Sequence, residues 1–266
     1  MNVVTVCRPD EWVDTQLARW RWSLYRTTPS ARCFLIIPFG VQHTSEEARN
    51  AMSRVAGHFD GVRTIREQVV PGFSVWMDSL RASSVTAFGL TEALYMDADA
   101  DAVEDLSAIP AWNGADILWT PNAAARSSVV RALKAFGLPC DPPFVEPAVM
   151  YLRRDFAAEY ADVVNAGLLD TTDYLPGVNA WNVVVSRCRR AAILPHRYNV
   201  MYQHMLKPGT DPAIIHFCGK AGKKARLATG LNDWPHAVTI HRRGCERLPV
   251  EWEDSEHAWR EAVTKT

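Results

Sequence analysis

The chain has 266 residues, of which 48% are hydrophobic and 22% charged, and its net charge is −1. That length can bury a good core as one large domain, and the composition is ordinary for a globular protein. A near-neutral balance excludes a global pull towards nucleic acid or membrane, so any such contact must be local.

Val3 to Val6 is a short apolar segment followed by Arg8, Asp10 and Glu11, which reads as a strand and not as a signal peptide. The spacing of Val13, Leu17, Trp20 and Leu24 predicts a helix over 13–25. A second apolar strand is expected over 33–39, stopped by Pro38 and Gly40, then a helix over 44–58 opened by Thr44 and Ser45. A third strand over 62–69, a helix over 74–88 and strands over 93–96 and 115–119 complete the first half. Strands alternate with helices, which favours an α/β fold: a mixed, mainly parallel sheet flanked by helices.

The second half is less regular. Pro139, Pro142, Pro143 and Pro147 mark a loop before a strand at 148–152, and helices are expected over 156–168 and 180–190. Short buried strands follow at 193–194 and 214–217, and a terminal helix at 254–265. The expected division is one domain over 1–230 with a C-terminal extension, 231–266, packed on it. The six cysteines (Cys7, Cys33, Cys140, Cys188, Cys218, Cys245) contain no C-x-x-C pair and read as buried, reduced thiols of a cytoplasmic protein. No apolar stretch approaches membrane-spanning length, so no membrane insertion is expected. Most of the ten tryptophans read as core, with one or two available to line a sugar or base subsite.

The run from Glu92 to Asp101 is the most informative. An apolar strand, Ala93 to Met96, ends in Asp97, Asp99 and Asp101, which share one side if the chain stays extended. Open α/β sheets bind ligands beyond the carboxyl ends of their strands. Acids crowded at such an edge repel one another unless a cation lies between them, and oxygen ligands suit Mg²⁺ or Mn²⁺. Far downstream, Ile214-Ile215-His216-Phe217-Cys218-Gly219-Lys220 offers an imidazole at a strand end, then glycine and the cations Lys220, Lys223, Lys224 and Arg226. That combination suits a metal-bound diphosphate. His196 and His204 have no carboxylate at ligand spacing and read as structural or surface residues.

The order LYMDAD, a strand near VMYL, LPHRYN and IIHFCGK resembles the retaining GT-A glycosyltransferases of the glycogenin and lipopolysaccharide galactosyltransferase group. Those carry Y-x-D-A-D, N-x-G-V, L-P-x-x-W/Y-N and H-F/Y-x-G elements in that order, and the resemblance spans roughly residues 3–224. It implies a GT-A, Rossmann-like fold and transfer of a hexose from a nucleotide sugar, usually a UDP-sugar, to a hydroxyl acceptor. It also implies Mn²⁺ (or Mg²⁺) held by Asp97, Asp99 and His216, and retention at the anomeric carbon. The implied donor-binding set is Thr5, Val6, Cys7 and Arg8 at the base, Arg81 in the helix before the metal strand, and Asp97, Ala98, Gly219, Lys220 and Lys223 around the diphosphate.

Three departures stand out. The family lysine six positions after the histidine is Gly222 here, so Lys220 and Lys223 both remain candidates for the phosphate. The N-x-G-V strand is replaced by Val145-Glu146-Pro147-Ala148-Val149, and the acidic D-Q-D acceptor element is absent near Gly177-Val178-Asn179-Ala180-Trp181-Asn182. Family acceptors therefore do not carry over. With Asp99, Glu146 and Asp173 are the candidate catalytic acids; a general base in line with the leaving group would invert instead of retain.

The acceptor is a saccharide, a small molecule, a protein or DNA. The last reading, a phage-type enzyme acting on hydroxymethylated bases, rests on the basic cluster Lys220, Lys223, Lys224, Arg226, Arg242, Arg243 and Arg247. Two further classes compete with a transferase: a haloacid-dehalogenase-like phosphatase, suggested by the bare DxD, and a non-catalytic sugar-binding relic of the fold.

Overall fold

The structure is a computed structural model describing residues 1–7, 13–39, 50, 54, 56–66, 73–111, 114–122, 127–141, 143–170, 175–202, 211–218, 222 and 226. In chain order the strands are β1 (Asn2–Val6), β2 (Arg32–Phe39), β3 (Gly61–Arg66), β4 (Ala93–Met96), β5 (Ala100–Ala102), β6 (Ile117–Asn122), β7 (Phe144–Leu152), β8 (Ala191–Ile193), β9 (Val200–Met201) and β10 (Ile214–His216). The helices are α1 (Val13–Thr27), α2 (Phe73–Ala82), α3 (Ser127–Ala135), α4 (Ala157–Asn165) and α5 (Pro176–Arg187).

Seven strands form the central sheet in the order β3-β2-β1-β4-β7-β6-β8, and β5, β10 and β9 form a small second sheet. In the central sheet only β7 runs antiparallel to its neighbours. Successive strand residues face opposite sides, and both sides are covered, which is why these strands are apolar throughout. Val3, Leu94 and Leu118 pack with Trp20 and Leu24 of α1 on one side. Val4, Tyr95 and Trp119 pack with Leu80 of α2, Tyr160 and Val163 of α4, and Trp181 of α5 on the other. From β1 the chain passes to β2 and β3 in one direction, whereas β4 lies on the opposite flank of β1. The crevice beyond the carboxyl ends of β1 and β4 is therefore the topological switch point, the preferred ligand site of such sheets.

Several boundaries differ from the sequence reading, each for a local reason. Pro38 lies inside β2, opposite Ile65, and does not stop it. The β1 ladder ends with the Cys7 N–H donating to the Ile36 carbonyl, so the missing N–H of Pro38 falls beyond it. Pro147 likewise lies inside β7. Pairing with β6 jumps from Trp119–Met150 to Thr120–Glu146, and this bulge absorbs the proline. The helix expected over 74–88 ends at Ala82, and a 3₁₀ turn, Thr86–Phe88, is closed by Gly89 at φ 63°. Helix α5 begins at Pro176, four residues earlier than expected, because proline fits a first helical turn. Strand β6 runs two residues later at its start and three later at its end than expected.

Of the helix expected over 44–58, Asn50, Arg54 and Ala56 are helical and the remaining positions up to 55 except 50 and 54 lie outside the described residues. The extension 231–266, with its expected terminal helix, also lies outside them. Cys7 and Cys33 are buried, whereas Cys140, Cys188 and Cys218 are only half-buried, and none of the five forms a disulfide among the described residues. Trp20, Trp22 and Trp181 are completely buried. No helix among the described residues is long and apolar enough to cross a membrane.

Trp181 joins α5 to α4 through Tyr160, 5.5 Å between ring centroids, and to Phe156 at 6.3 Å. Trp181→Ala is expected to destabilise the protein by about 3–5 kcal/mol. A lowered urea-unfolding midpoint at constant m-value would report it, and an unchanged midpoint would contradict this packing.

Candidate metal and donor site

Strand β4 ends at Met96, and the chain turns at once, with the Ala100 N–H bonding the Asp97 carbonyl at 2.9 Å. The extended run assumed for the three aspartates does not persist. Asp97 and Asp99 stay at the switch-point crevice, while Asp101 enters β5 and is completely buried among other partners. Strand β10 pairs antiparallel with β5 so that His216 lies opposite Ala100. The Phe217 N–H then donates to the Asp99 carbonyl at 2.9 Å. This brings His216 Nε2 to 3.3 Å from Asp99 Oδ1 and 3.9 Å from Asp97 Oδ2. One ligand atom from each of Asp97, Asp99 and His216 lies within 4.8 Å of the others.

Asp97 is held from behind. Tyr95 donates its hydroxyl to Asp97 Oδ1 at 2.5 Å, and Arg81 reaches the same carboxylate at 2.9 Å. Arg81 also donates to the Tyr95 hydroxyl at 3.1 Å and pairs with Asp78 Oδ1 at 2.5 Å, one helical turn away on α2. On the far side, Asn122 Nδ2 donates to Glu146 Oε2 at 2.7 Å. Asn182 of α5 fixes that strand by accepting from the Val145 N–H at 2.8 Å and donating to the Val145 carbonyl at 3.1 Å. Behind them Asn199, the last residue of LPHRYN, donates to Thr120 Oγ1 at 3.0 Å.

Among the described residues of the site the charges do not balance. Asp78, Asp97, Asp99 and Glu146 sense one another directly or through a common neighbour, and Arg81 and His216 are the cations that reach them. Burial pushes Asp78 up to about 7, opposed by Arg81 and reinforced by Asp97 and Glu146. Burial also raises Asp97, with Arg81 opposing and Asp99 adding. Burial lowers His216, but Asp99, Asp97 and Glu146 outweigh it and hold the imidazole above its usual value. Among the described residues, even with His216 protonated, four carboxylates face two positive charges. A divalent cation would close that gap, and two carboxylate oxygens with an imidazole nitrogen form a donor set that suits Mn²⁺ or Mg²⁺. The donor atoms already converge, and the Nε2 edge of His216 is the one that faces the carboxylates.

Thr5, Val6 and Cys7 end β1 beside this cluster and are all buried. Thr5 Oγ1 is buried without a hydrogen-bond partner among the described residues. The Ala98 carbonyl accepts a hydrogen bond from Arg226 at 2.7 Å. Arg226, read from sequence as one of the cations of a diphosphate or DNA-binding cluster, is 3% exposed. Gly222 packs so closely on the backbone of Phe217 that a Cβ there would lie 2.6 Å from its carbonyl carbon. The family lysine at this position could not be accommodated without a shift. Arg8, Asp173, Gly219, Lys220 and Lys223 lie outside the described residues, as does His204, while His196 is exposed.

Asp78, Asn122, Asn182 and Asn199 were not singled out from sequence. Asp78 stands three residues before Arg81, a spacing that places both on one helix face, and Asn199 closes a motif that was quoted. The two other asparagines carried no such signal, because their partners are set by the β7 bulge.

No protein-family model matches the chain, and no curated protein sequence matches it significantly. Solved structures do share its fold. The galactosyltransferase LgtC, in complex with donor and acceptor sugar analogues, superposes with a TM-score of 0.58 at 16% identity over 96% of this chain and 99% of that one. The bifunctional glycosyltransferase WbbM gives 0.59 at 11% identity, over 83% of this chain and 46% of that one. The glycosyltransferase GlyE of Streptococcus pneumoniae TIGR4 gives 0.53 at 13%, over 90% and 63%. The mainly parallel seven-stranded sheet with flanking helices is thus the GT-A glycosyltransferase fold, as the sequence motifs had implied.

Proposed function

We propose that this chain is a metal-dependent glycosyltransferase that moves a hexose from a nucleotide sugar, a UDP-sugar, to a hydroxyl acceptor with retention. One observation carries the reading: two carboxylates and an imidazole converge at the switch point of a fold shared with glycosyltransferases. In this reading Asp97, Asp99 and His216 hold Mn²⁺ or Mg²⁺, whose Lewis acidity neutralises the departing diphosphate. Arg81 and Tyr95 fix the Asp97 carboxylate, and Thr5, Val6 and Cys7 border the nucleotide. Arg8, Gly219, Lys220 and Lys223 complete the donor site, with one of the two lysines on the phosphates.

Glu146 is assigned to the acceptor side. It lies in the segment that stands in place of the family's N-x-G-V strand, is 7% exposed, and is oriented by Asn122. There it would orient the incoming hydroxyl and stabilise positive charge developing on the sugar, with Asp173 as the second acid of the pair. The acceptor is a hydroxyl on a saccharide, small molecule or protein. Support for DNA weakens, because Arg226 is buried and leaves the basic cluster that motivated it. Free thiols fit a reducing compartment, so the cytoplasm is the proposed site of action.

Asp99→Asn is expected to reduce transfer at least about 1000-fold, roughly 4 kcal/mol, with an unchanged far-UV CD spectrum. Excess chelator should abolish turnover and Mn²⁺ restore it; full activity in chelator would sink the metal reading. Proton NMR of the first product from an α-linked donor should show an α linkage. A β product would make Glu146 or Asp173 an inverting base.

The charge excess gives a second test that needs no substrate. Asp78, Asp97 and His216 all have raised values in the folded state, so the fold binds more protons than the unfolded chain. Stability in chelator should therefore fall as pH rises from about 4 through 7 and beyond. Melting curves at pH 5.5 and pH 8 should differ by roughly 5 °C or more, and Mn²⁺ should recover most of the loss at pH 8. A chelated protein more stable at pH 8 would contradict this electrostatic account.

A further inference from the structure

The third carboxylate of the acidic run has a different employment from the first two. Asp101 is 0% exposed and lies between two buried guanidiniums, Arg19 of α1 at 2% and Arg226 at 3%. Arg19 Nε donates to Asp101 Oδ2 at 2.9 Å, and Arg226 Nε donates to the same oxygen at 3.2 Å. Arg226 Nη2 donates to the other oxygen, so the pair is bidentate. Arg19 also donates to the Arg226 carbonyl, which fastens that backbone to α1.

The rest of Arg226 grips the metal-site backbone. Its Nη1 donates to the carbonyl of Ala98, the residue between Asp97 and Asp99, at 2.7 Å. Both guanidiniums lie over the ring of Phe217, the residue after His216, at 5.3 Å for Arg19 and 5.7 Å for Arg226. Phe217 in turn donates its N–H to the Asp99 carbonyl, and Gly222 packs on the Phe217 backbone. Each of the three proposed ligands is thus joined to the Asp101 clasp through its own backbone or that of an immediate neighbour. Gly222 and Arg226 also bracket Lys223 and Lys224 in the sequence.

We infer that Asp101 and Arg226 are positioning residues that hold Asp97, Asp99 and His216 at ligand distance, coupling metal affinity to a clasp which touches neither metal nor donor. A buried ion network of this kind contributes little net stability over an apolar core of the same shape, but it fixes geometry. The Arg226 fork on both Asp101 oxygens, with Arg19 Nε on one of them, sets both distance and angle, which an ammonium cannot reproduce. The inference rests on the metal reading above, and the test separates the two.

Mn²⁺ binding, counted from loss of the free-ion EPR signal, and UDP binding in saturating Mn²⁺, by calorimetry, are measured for four proteins: wild type, His216→Ala, Arg226→Lys and Trp181→Phe. The last lowers stability from a distant core position. Arg226→Lys is expected to keep its CD spectrum and weaken Mn²⁺ roughly tenfold, with UDP affinity falling in parallel. Trp181→Phe, with a comparable loss in Tm, should bind Mn²⁺ as wild type does. Arg226→Gln, which keeps a donor for the Ala98 carbonyl, replaces Arg226→Lys if that variant fails to fold, with the same expectation. Wild-type Mn²⁺ affinity in the Arg226 variant, or an equal loss in Trp181→Phe, overturns the clasp and leaves the metal reading standing. A wild-type protein that binds no Mn²⁺, or binds it undiminished in His216→Ala, overturns the metal reading and the clasp with it.

Discussion

A carboxylate withdrawn from water needs a partner, and this protein withdraws five of them around one turn of chain. Asp101 is compensated inside the protein by two guanidiniums. Asp78 and Asp97 share Arg81, while Asp99 has the imidazole and Glu146 the amide of Asn122. At the crevice the values of Asp78 and Asp97 are raised, chiefly by burial, and that of His216 by the neighbouring carboxylates. A positive charge between such acids would stabilise them. The polar framework, from Tyr95 behind Asp97 to Asn182 behind Glu146, serves to keep these acids from relaxing away from one another.

The central sheet was legible in the sequence because its strands are buried on both faces and so read as unbroken apolar runs. Val3 to Val6 and Ala93 to Met96 are the clearest, and both strands lie where expected. Boundaries were less legible wherever proline was involved. Pro38 and Pro147 looked like stops, but each occupies a point where the ladder has ended or bulged, and there a missing N–H costs nothing. Pro176 stood four residues before the expected helix and instead starts α5, whose first ten residues are all buried. A proline reports a missing donor; whether a partner strand needed that donor depends on tertiary neighbours.

The candidate site was legible in part, and Asp101 shows where the limit lies. Three alternating aspartates look equivalent along an extended chain. A single turn after Met96 sends two of them to the crevice and the third into the core. What distinguishes Asp101 is Arg19, eighty-two residues earlier, and Arg226, one hundred and twenty-five later. Neither spacing carries a local signature. By contrast His216 could be found, because a histidine at the end of an apolar strand before a glycine-rich basic stretch is a local pattern. Arg226 was misread for the same reason: among lysines it looked like one more cation for a polyanion, yet its guanidinium is buried on Asp101.

The acceptor side is where the chain departs most from the pattern it resembles, and the structure gives that departure a physical meaning. The D-Q-D element is absent near Gly177, Val178 and Asn179, which are buried at the start of α5. Asp173, just before that helix, lies outside the described residues. On β7, Asn122 holds one oxygen of the Glu146 carboxylate. Its position is fixed by the bulge at Pro147 and by the grip of Asn182 on Val145. A strand-borne carboxylate with its backbone bonded on both sides has little freedom to adapt. Under the proposed assignment of Glu146 to the acceptor side, acceptor choice depends on how a hydroxyl fits against that carboxylate.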